Sequence, residues 1–201
     1  MRVDFREVLQ KPLEILGRVP IVLIPALCAG VVNLAISFVR LRTWTVFVFS
    51  VLGMFVTLFC LAWGVLLLEK YLRGEKPDLV KSWDTLSQKV PNVIVAAIIV
   101  AILVTFGAYF FILPGILLEV ILIITIPRTA QENATFDKAL LYSLRFAFQE
   151  MYFLILLLYV AIAFGLAFIP YVGEILSSVF IIVWVSYLYL TRSQEFVDRP
   201  L

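Results

Sequence analysis

The sequence predicts an all-α membrane protein of six transmembrane helices arranged as three hairpins, each preceded by an amphipathic helix on the cytoplasmic side. Three observations carry that expectation. Of 201 residues, 63% are hydrophobic and 15% charged, against about 45–50% and about 25% in ordinary soluble domains, which excludes a soluble globular fold. Four apolar runs cover residues 19–39, 44–68, 92–127 and 151–190, and the last two are too long for one crossing of about 20 residues. Basic side chains, finally, fall almost wholly on alternate connections.

Taken in order, residues 1–18 mix Arg2, Arg6, Lys11 and Arg18 with three acids, unlike the short basic leader of a signal peptide, so no cleavage is expected. Phe5, Val8, Leu9, Leu13 and Leu16 recur at helical spacing opposite Arg6, Glu7, Lys11 and Glu14. They predict an amphipathic helix over 3–17 that Pro12 interrupts. Spans over 19–39 and 44–68 form the first hairpin. A second surface helix over 78–90 sets Leu79, Trp83, Leu86 and Val90 against Lys81, Asp84, Gln88 and Lys89.

Turn signals at Leu113-Pro114-Gly115 and at Pro170-Tyr171-Val172-Gly173 divide the two long runs. The resulting spans are 92–112 with 114–130, and 151–169 with 173–190. From Gly115 to Ala130 the fourth is only about 24 Å long, short for a hydrocarbon core of about 30 Å. Between these hairpins lies a third amphipathic helix over 135–149, with Phe136, Leu140, Leu144 and Phe148 opposite Asp137, Lys138, Arg145 and Gln149. The chain thus reads as a single integral membrane domain, 1–201, with a degenerate threefold repeat of surface helix plus hairpin.

Lysine and arginine concentrate in cytoplasmic loops. With six crossings, 14 of them lie on one side and only Arg40 and Arg42 on the other. The split places both termini in the cytoplasm and the chain in the cell membrane.

Composition also removes chemistry. Without a histidine the chain lacks the usual general base near neutral pH and the commonest metal ligand. Cys28 and Cys60 sit in apolar runs without Cys-x-x-Cys spacing, and read as small buried side chains rather than a disulfide or zinc site. No cofactor or metal is expected. A net charge of +2 offers no polybasic surface to nucleic acid.

Two polar residues stand out inside the spans. Glu119 lies in an apolar stretch about 7.5 Å from Pro114 at helical rise, and an intramembrane carboxylate is costly enough to suggest a site. Asn33 is the other. They form a candidate intramembrane polar site, and hydrogen bonding of Glu119 to Asn33 or to a neighbouring threonine is the structural alternative. At the cytoplasmic side, Glu132 is placed to cap the helix starting near Thr135, with Arg128 as a second partner and Ser143 packing that helix against the bundle. Small-residue pairs Ala26/Gly30, Cys60/Gly64 and Ala161/Gly165 suit close helix packing within the chain. Trp44, Tyr109 and Tyr171 suit one interfacial belt, and Tyr71, Trp83, Tyr187 and Tyr189 the other.

The stretch Leu113-Pro114-Gly115-Ile116, then Pro127, Glu132, Ala139 and Ser143, followed by two closing spans, resembles a family of uncharacterised multi-pass membrane proteins. That family is similar to the membrane domain attached to some bacterial glycerophosphoryl diester phosphodiesterases. The likeness covers roughly residues 78–190 and implies architecture, with no catalytic residue to carry over, because hydrolysis in those enzymes belongs to a separate soluble domain that uses histidines and acids.

The expectation for function is therefore a non-catalytic integral membrane protein that is structural, lipid-organising or partner-binding. Its partners would be membrane lipids, and a protein partner or a second copy of the chain. The alternative is a small solute or ion transporter or channel using Glu119 and Asn33, as broken helices do in transporters. Against that alternative, the prolines fall at the hairpin turns.

Overall fold

A computed structural model describes residues 5–38, 43–149, 151–170 and 172–197, and all their regular structure is helical. Helix α1 is Phe5–Arg18; a 3-10 turn, Pro20–Val22, leads into α2, Leu23–Ser37. Then follow α3 (Thr43–Leu72), α4 (Leu79–Ser87), α5 (Val90–Phe110), α6 (Ile112–Leu122) and α7 (Thr125–Glu132). The chain closes with α8 (Phe136–Ala147), α9 (Tyr152–Ala167) and α10 (Gly173–Val197). Five segments are long and apolar enough to cross a membrane: Pro20–Ser37, Thr45–Leu72, Val90–Phe110, Ile112–Glu132 and Gly173–Ser193. At 16 residues, α9 spans about 24 Å and makes a sixth only when taken with α8 as one bent span. The helices mark a membrane-embedded protein.

Helix α10 is the centre of the bundle. It packs on α2, α3 and α9, and Ile181 to Val185 and Tyr187 to Leu190 along it are buried. Helix α5 packs on α3 and α6. Gly115 of α6 lies against Ala108 of α5 so closely that a Cβ there would fall 2.5 Å from the Ala108 backbone. Two of the small-residue pairs work in the same way: Gly30 meets Ile175 and Gly64 meets Ile182. The third does not, since Ala161 and Gly165 are exposed and Gly165 has nothing within 4 Å.

Pro12 does not interrupt α1. The helix runs through it, and the buried stripe is Val8, Pro12 and Ile15, while Leu13 points outward. In a helix the amide of residue 12 would serve the carbonyl of residue 8, but proline has no N–H. The Tyr159 hydroxyl donates to that Val8 carbonyl instead, at 3.0 Å.

A second proline acts inside the fourth span, which extends from Ile112 to Glu132 and so reaches about 30 Å. It is not one unbroken helix. Pro127 gives no N–H to Ile123, the ladder breaks at Ile123 and Ile124, and Ser143 Oγ donates to the neighbouring Ile121 carbonyl at 2.5 Å. Ser143 thus joins α8 to the bundle at the break.

Glu132 does not cap α8. It ends α7 and pairs with Arg128 one turn earlier, because left-handed Asn133 (φ 54°) turns the chain away immediately after it. The N-cap of α8, Thr135, makes no side-chain cap bond. Asp137 is the acid of that first turn, and the Thr135 hydroxyl with the backbone amides of Lys138 and Asp137 holds its carboxyl below the usual range. Arg128 also lies 4.2 Å from the Tyr142 ring centroid.

The buried stripes of α4 and α8 overlap the expected apolar faces but are displaced from them: Leu86 is buried and Phe136 and Leu140 pack against the core, while Trp83 is exposed. In α8 the buried stripe is Ala139, Ser143, Phe146 and Ala147, with Phe148 exposed. In α4 it is Ser82 and Leu86; Ser82 Oγ accepts from the Trp63 indole at 3.0 Å, and Trp83 lies edge-on to Trp63. Tyr187 and Tyr189 are buried rather than interfacial, and Cys28 is exposed while Cys60 is buried. Arg40, Arg42 and Tyr171 lie outside the described residues, as does the side chain of Trp44.

Helix α4 starts on a side-chain cap: Asp78 accepts from the amides of Val80 and Lys81 at 2.9 and 3.2 Å. These amides, that of Lys81 first, hold its carboxyl below the usual range. Because the folded value is the lower one, the cap contributes above the unfolded value of about 3.9 and is lost as pH falls through the folded value. Acidification through that window should speed amide exchange at Val80 and Lys81. Asp78→Ala should speed it at neutral pH, and unchanged exchange in the variant would show that α4 does not depend on this cap.

Candidate functional site

Polar side chains gather at both ends of the bundle, in different ways. At the end carrying Gly74 and Asn133 they are saturated. Tyr189 Oη donates to Gln131 Oε1 at 2.7 Å, Gln131 Nε2 donates to Glu69 Oε1 at 3.0 Å, and Glu69 pairs with Arg73 at 2.5 Å. Lys89 Nζ donates to the carbonyls of Ala130 and Gln131, each at 2.7 Å, closing the C-terminal end of α7 where a cation complements the helix dipole. Burial pulls its ammonium below the ordinary value despite Glu69 nearby. Asn92 Nδ2 reaches Asn133 Oδ1 at 2.9 Å. With its members partnered to one another, this network ties α3, α5, α7 and α10 together beside a cleft of about 260 Å³ lined by Glu69, Arg73, Gln131 and Thr191.

Toward the other end the arrangement is reversed. A cavity of about 170 Å³ lies among α2, α3, α6, α9 and α10, and its lining holds both sequence candidates, Asn33 and Glu119, together with Thr57, Glu174, Ser177 and Ser178. Asn33 Nδ2 donates to Thr57 Oγ1 at 2.8 Å and to Ser178 Oγ at 3.4 Å, and Thr57 in turn donates to the Gly53 carbonyl at 3.0 Å. Asn33 therefore joins three helices. Glu119 shares its cavity without bonding to it, and neither Glu119 nor Glu174 has a hydrogen bond or ion pair to a described residue. No lysine or arginine lines the cavity among the described residues.

Two wider clefts share Asn33, Met54 and Glu174 with it. One, of about 430 Å³, runs between α2 and α3 past Ile36, Ser37, Phe49 and Ser50. The other, of about 530 Å³, runs between α3 and α5 past Val104, Thr105, Ala108 and Tyr109. The cavity thus shares walls with clefts on both sides of α3.

No family model matches this chain, and neither does any curated protein or solved structure. The chemistry of the site has to be read from its own residues.

Two acidic side chains, each partly buried in an apolar bundle, lie among hydroxyls and an amide with no described cation beside them, an arrangement that favours positive charge. Among the described residues no three His, Cys, Asp or Glu side chains group closely enough to hold a metal ion. Glu174 is the residue that sequence reasoning missed. As the acid in the first turn of α10 it reads as a complement to the helix dipole. The available signal was its spacing, since Ser177 and Ser178 stand three and four residues on and share its helix face.

Proposed function

We propose that the chain is a multi-pass protein of the cell membrane that carries a small cation by way of the cavity holding Glu119, Glu174 and Asn33. One observation carries this reading: two unpartnered acidic side chains line a cavity inside an apolar bundle, with no described basic side chain to neutralise them. The break at Ile123 and Ile124, one turn beyond Glu119, adds support, because interrupted helices build the midplane sites of transporters. The reading extends to six crossings in three hairpins, each preceded by a surface helix, with both termini and the basic loops cytoplasmic. It includes the architectural kinship with the membrane domain of glycerophosphoryl diester phosphodiesterases and assigns no catalysis.

Proteoliposomes of the full chain test it, under imposed gradients of protons, sodium, potassium or choline. At least one gradient should drive uptake that Glu119→Gln abolishes while the melting curve in detergent is retained. Absence of uptake by the wild-type protein under all four gradients overturns the transport reading.

A second reading has its own support. Leu13 of α1, Val80 of α4, Leu141 of α8 and Phe148 just after it are exposed, as expected of helices lying in a lipid interface. That arrangement fits a lipid-organising or partner-binding protein, and lipid or a protein partner retained in native mass spectrometry without any flux would favour it.

A further inference from the structure

We infer that the cavity takes an organic ammonium group, from a free amine or a lipid headgroup, with the rest of the molecule lying in one of the two adjoining clefts. The inference rests on the cation reading above and names the class of cation.

Size is the first argument. At about 30 Å³ per water, a cavity of about 170 Å³ has room for roughly five or six heavy atoms, the bulk of an ethanolamine or choline head. The cavity alone is small beside ordinary ligand pockets of about 300–1,000 Å³, and the clefts of about 430 and 530 Å³ supply the remainder.

The donor set is the second. Calcium takes six to eight oxygen ligands and magnesium a near-ideal octahedron, whereas this cavity offers two carboxylates, an amide and a few hydroxyls, several of them already bonded to one another. An ammonium needs only a carboxylate or two. It also gains from an aromatic face, and Phe164 lines both the cavity and the α3–α5 cleft. Met54 lines the cavity and both clefts, a polarizable neighbour suited to methyl and methylene groups. Of the two clefts the α3–α5 one has the apolar wall, along Val104, Ala108 and Phe164, whereas Ser37 and Ser50 make the α2–α3 cleft mixed. The α3–α5 cleft, acidic where Glu174 lines it and apolar along Val104, Ala108 and Phe164, fits an amphipath with a cationic head.

The test uses the full chain in mild detergent, with choline and ethanolamine titrated by calorimetry at constant ionic strength. At least one amine should bind, and Glu119→Gln or Glu174→Gln should weaken it tenfold or more. Phe164→Leu, which leaves both carboxylates in place, should weaken choline by about 3- to 10-fold and keeps the test open if a carboxylate variant fails to fold. Native mass spectrometry from nanodiscs of equal phosphatidylethanolamine and phosphatidylglycerol identifies the source. Enrichment of the former assigns a lipid headgroup, and amine binding without enrichment assigns a free solute; either supports the ammonium. Absence of both, or amine binding that no variant weakens, overturns it. Metal-ion or proton flux without amine binding would sink this inference and leave the cation carrier standing, whereas amine binding without any flux would do the reverse.

Discussion

Gly30→Ala should lower the melting temperature of the protein in mild detergent, while Gly165→Ala should leave it unchanged or raise it. Both replace a helical glycine in an apolar helix. Propensity alone favours alanine by about 0.8–1.0 kcal/mol at each site. Space decides the sign. A Cβ on Gly30 would stand 2.6 Å from the Ile175 Cα and 3.2 Å from its side chain, so α2 and α10 must separate along one of the most extensive contacts in the bundle. Overpacking of this kind typically costs about 1–3 kcal/mol, and backbone cannot swing aside as a side chain end can. A net loss of up to about 2 kcal/mol is the expected result for Gly30→Ala. Gly165 has no atom within 4 Å of the same added carbon, so only the propensity gain remains. Equal shifts in the two variants would show that the α2–α10 approach is not limited by Gly30. The Gly30 contact also bears on the cavity, because Ile175 follows Glu174 directly and Asn33 lies one turn beyond Gly30 on α2.

The helical membrane class was legible because a hydrocarbon core imposes a length on apolar runs and satisfies no backbone hydrogen bond from outside. Asn33 and Glu119 were legible for the same reason, as polar groups where few belong. What the pattern could not tell was which apolar face meets protein and which meets lipid. Both avoid water, so periodicity treats them alike. That is why Phe148, at the end of α8, is exposed while Ala139 and Ser143 within it are buried, and why Tyr187 and Tyr189, expected at an interface, lie inside the bundle. Glu174 was hidden for a different reason: an acid at a helix start already has a sufficient local explanation. Glu132 shows the reverse error. Proximity in sequence to the start of α8 suggested a cap, but Asn133 in the left-handed region directs the chain so that the i, i+4 partner Arg128 takes the carboxylate. The break in the fourth span follows from Pro127 four residues after Ile123, a backbone consequence that the apolar pattern conceals.

Pro12 and Tyr159 make a matched test of the same backbone logic. The Val8 carbonyl loses its helical donor to Pro12 and regains one from the Tyr159 hydroxyl at 3.0 Å, with Val8 3% exposed and Tyr159 fully buried. Tyr159→Phe should therefore remove a donor from a carbonyl that water cannot reach, at a cost of about 1–3 kcal/mol, and speed amide exchange along α1. The ring itself is retained in that variant and keeps its packing against Phe180, so loss of shape is a minor part of the effect. Pro12→Ala restores an N–H in the position to serve Val8. In that background Tyr159→Phe should cost markedly less, and the double-mutant cycle should show a coupling of about 0.5–3 kcal/mol. A Tyr159→Phe penalty of the same size in both backgrounds would mean that the hydroxyl stabilises the fold through something other than the orphaned carbonyl. The coupled outcome would mean that a proline inside α1 is tolerated because another helix completes its hydrogen bond, which ties the seating of α1 on the bundle to a single phenol.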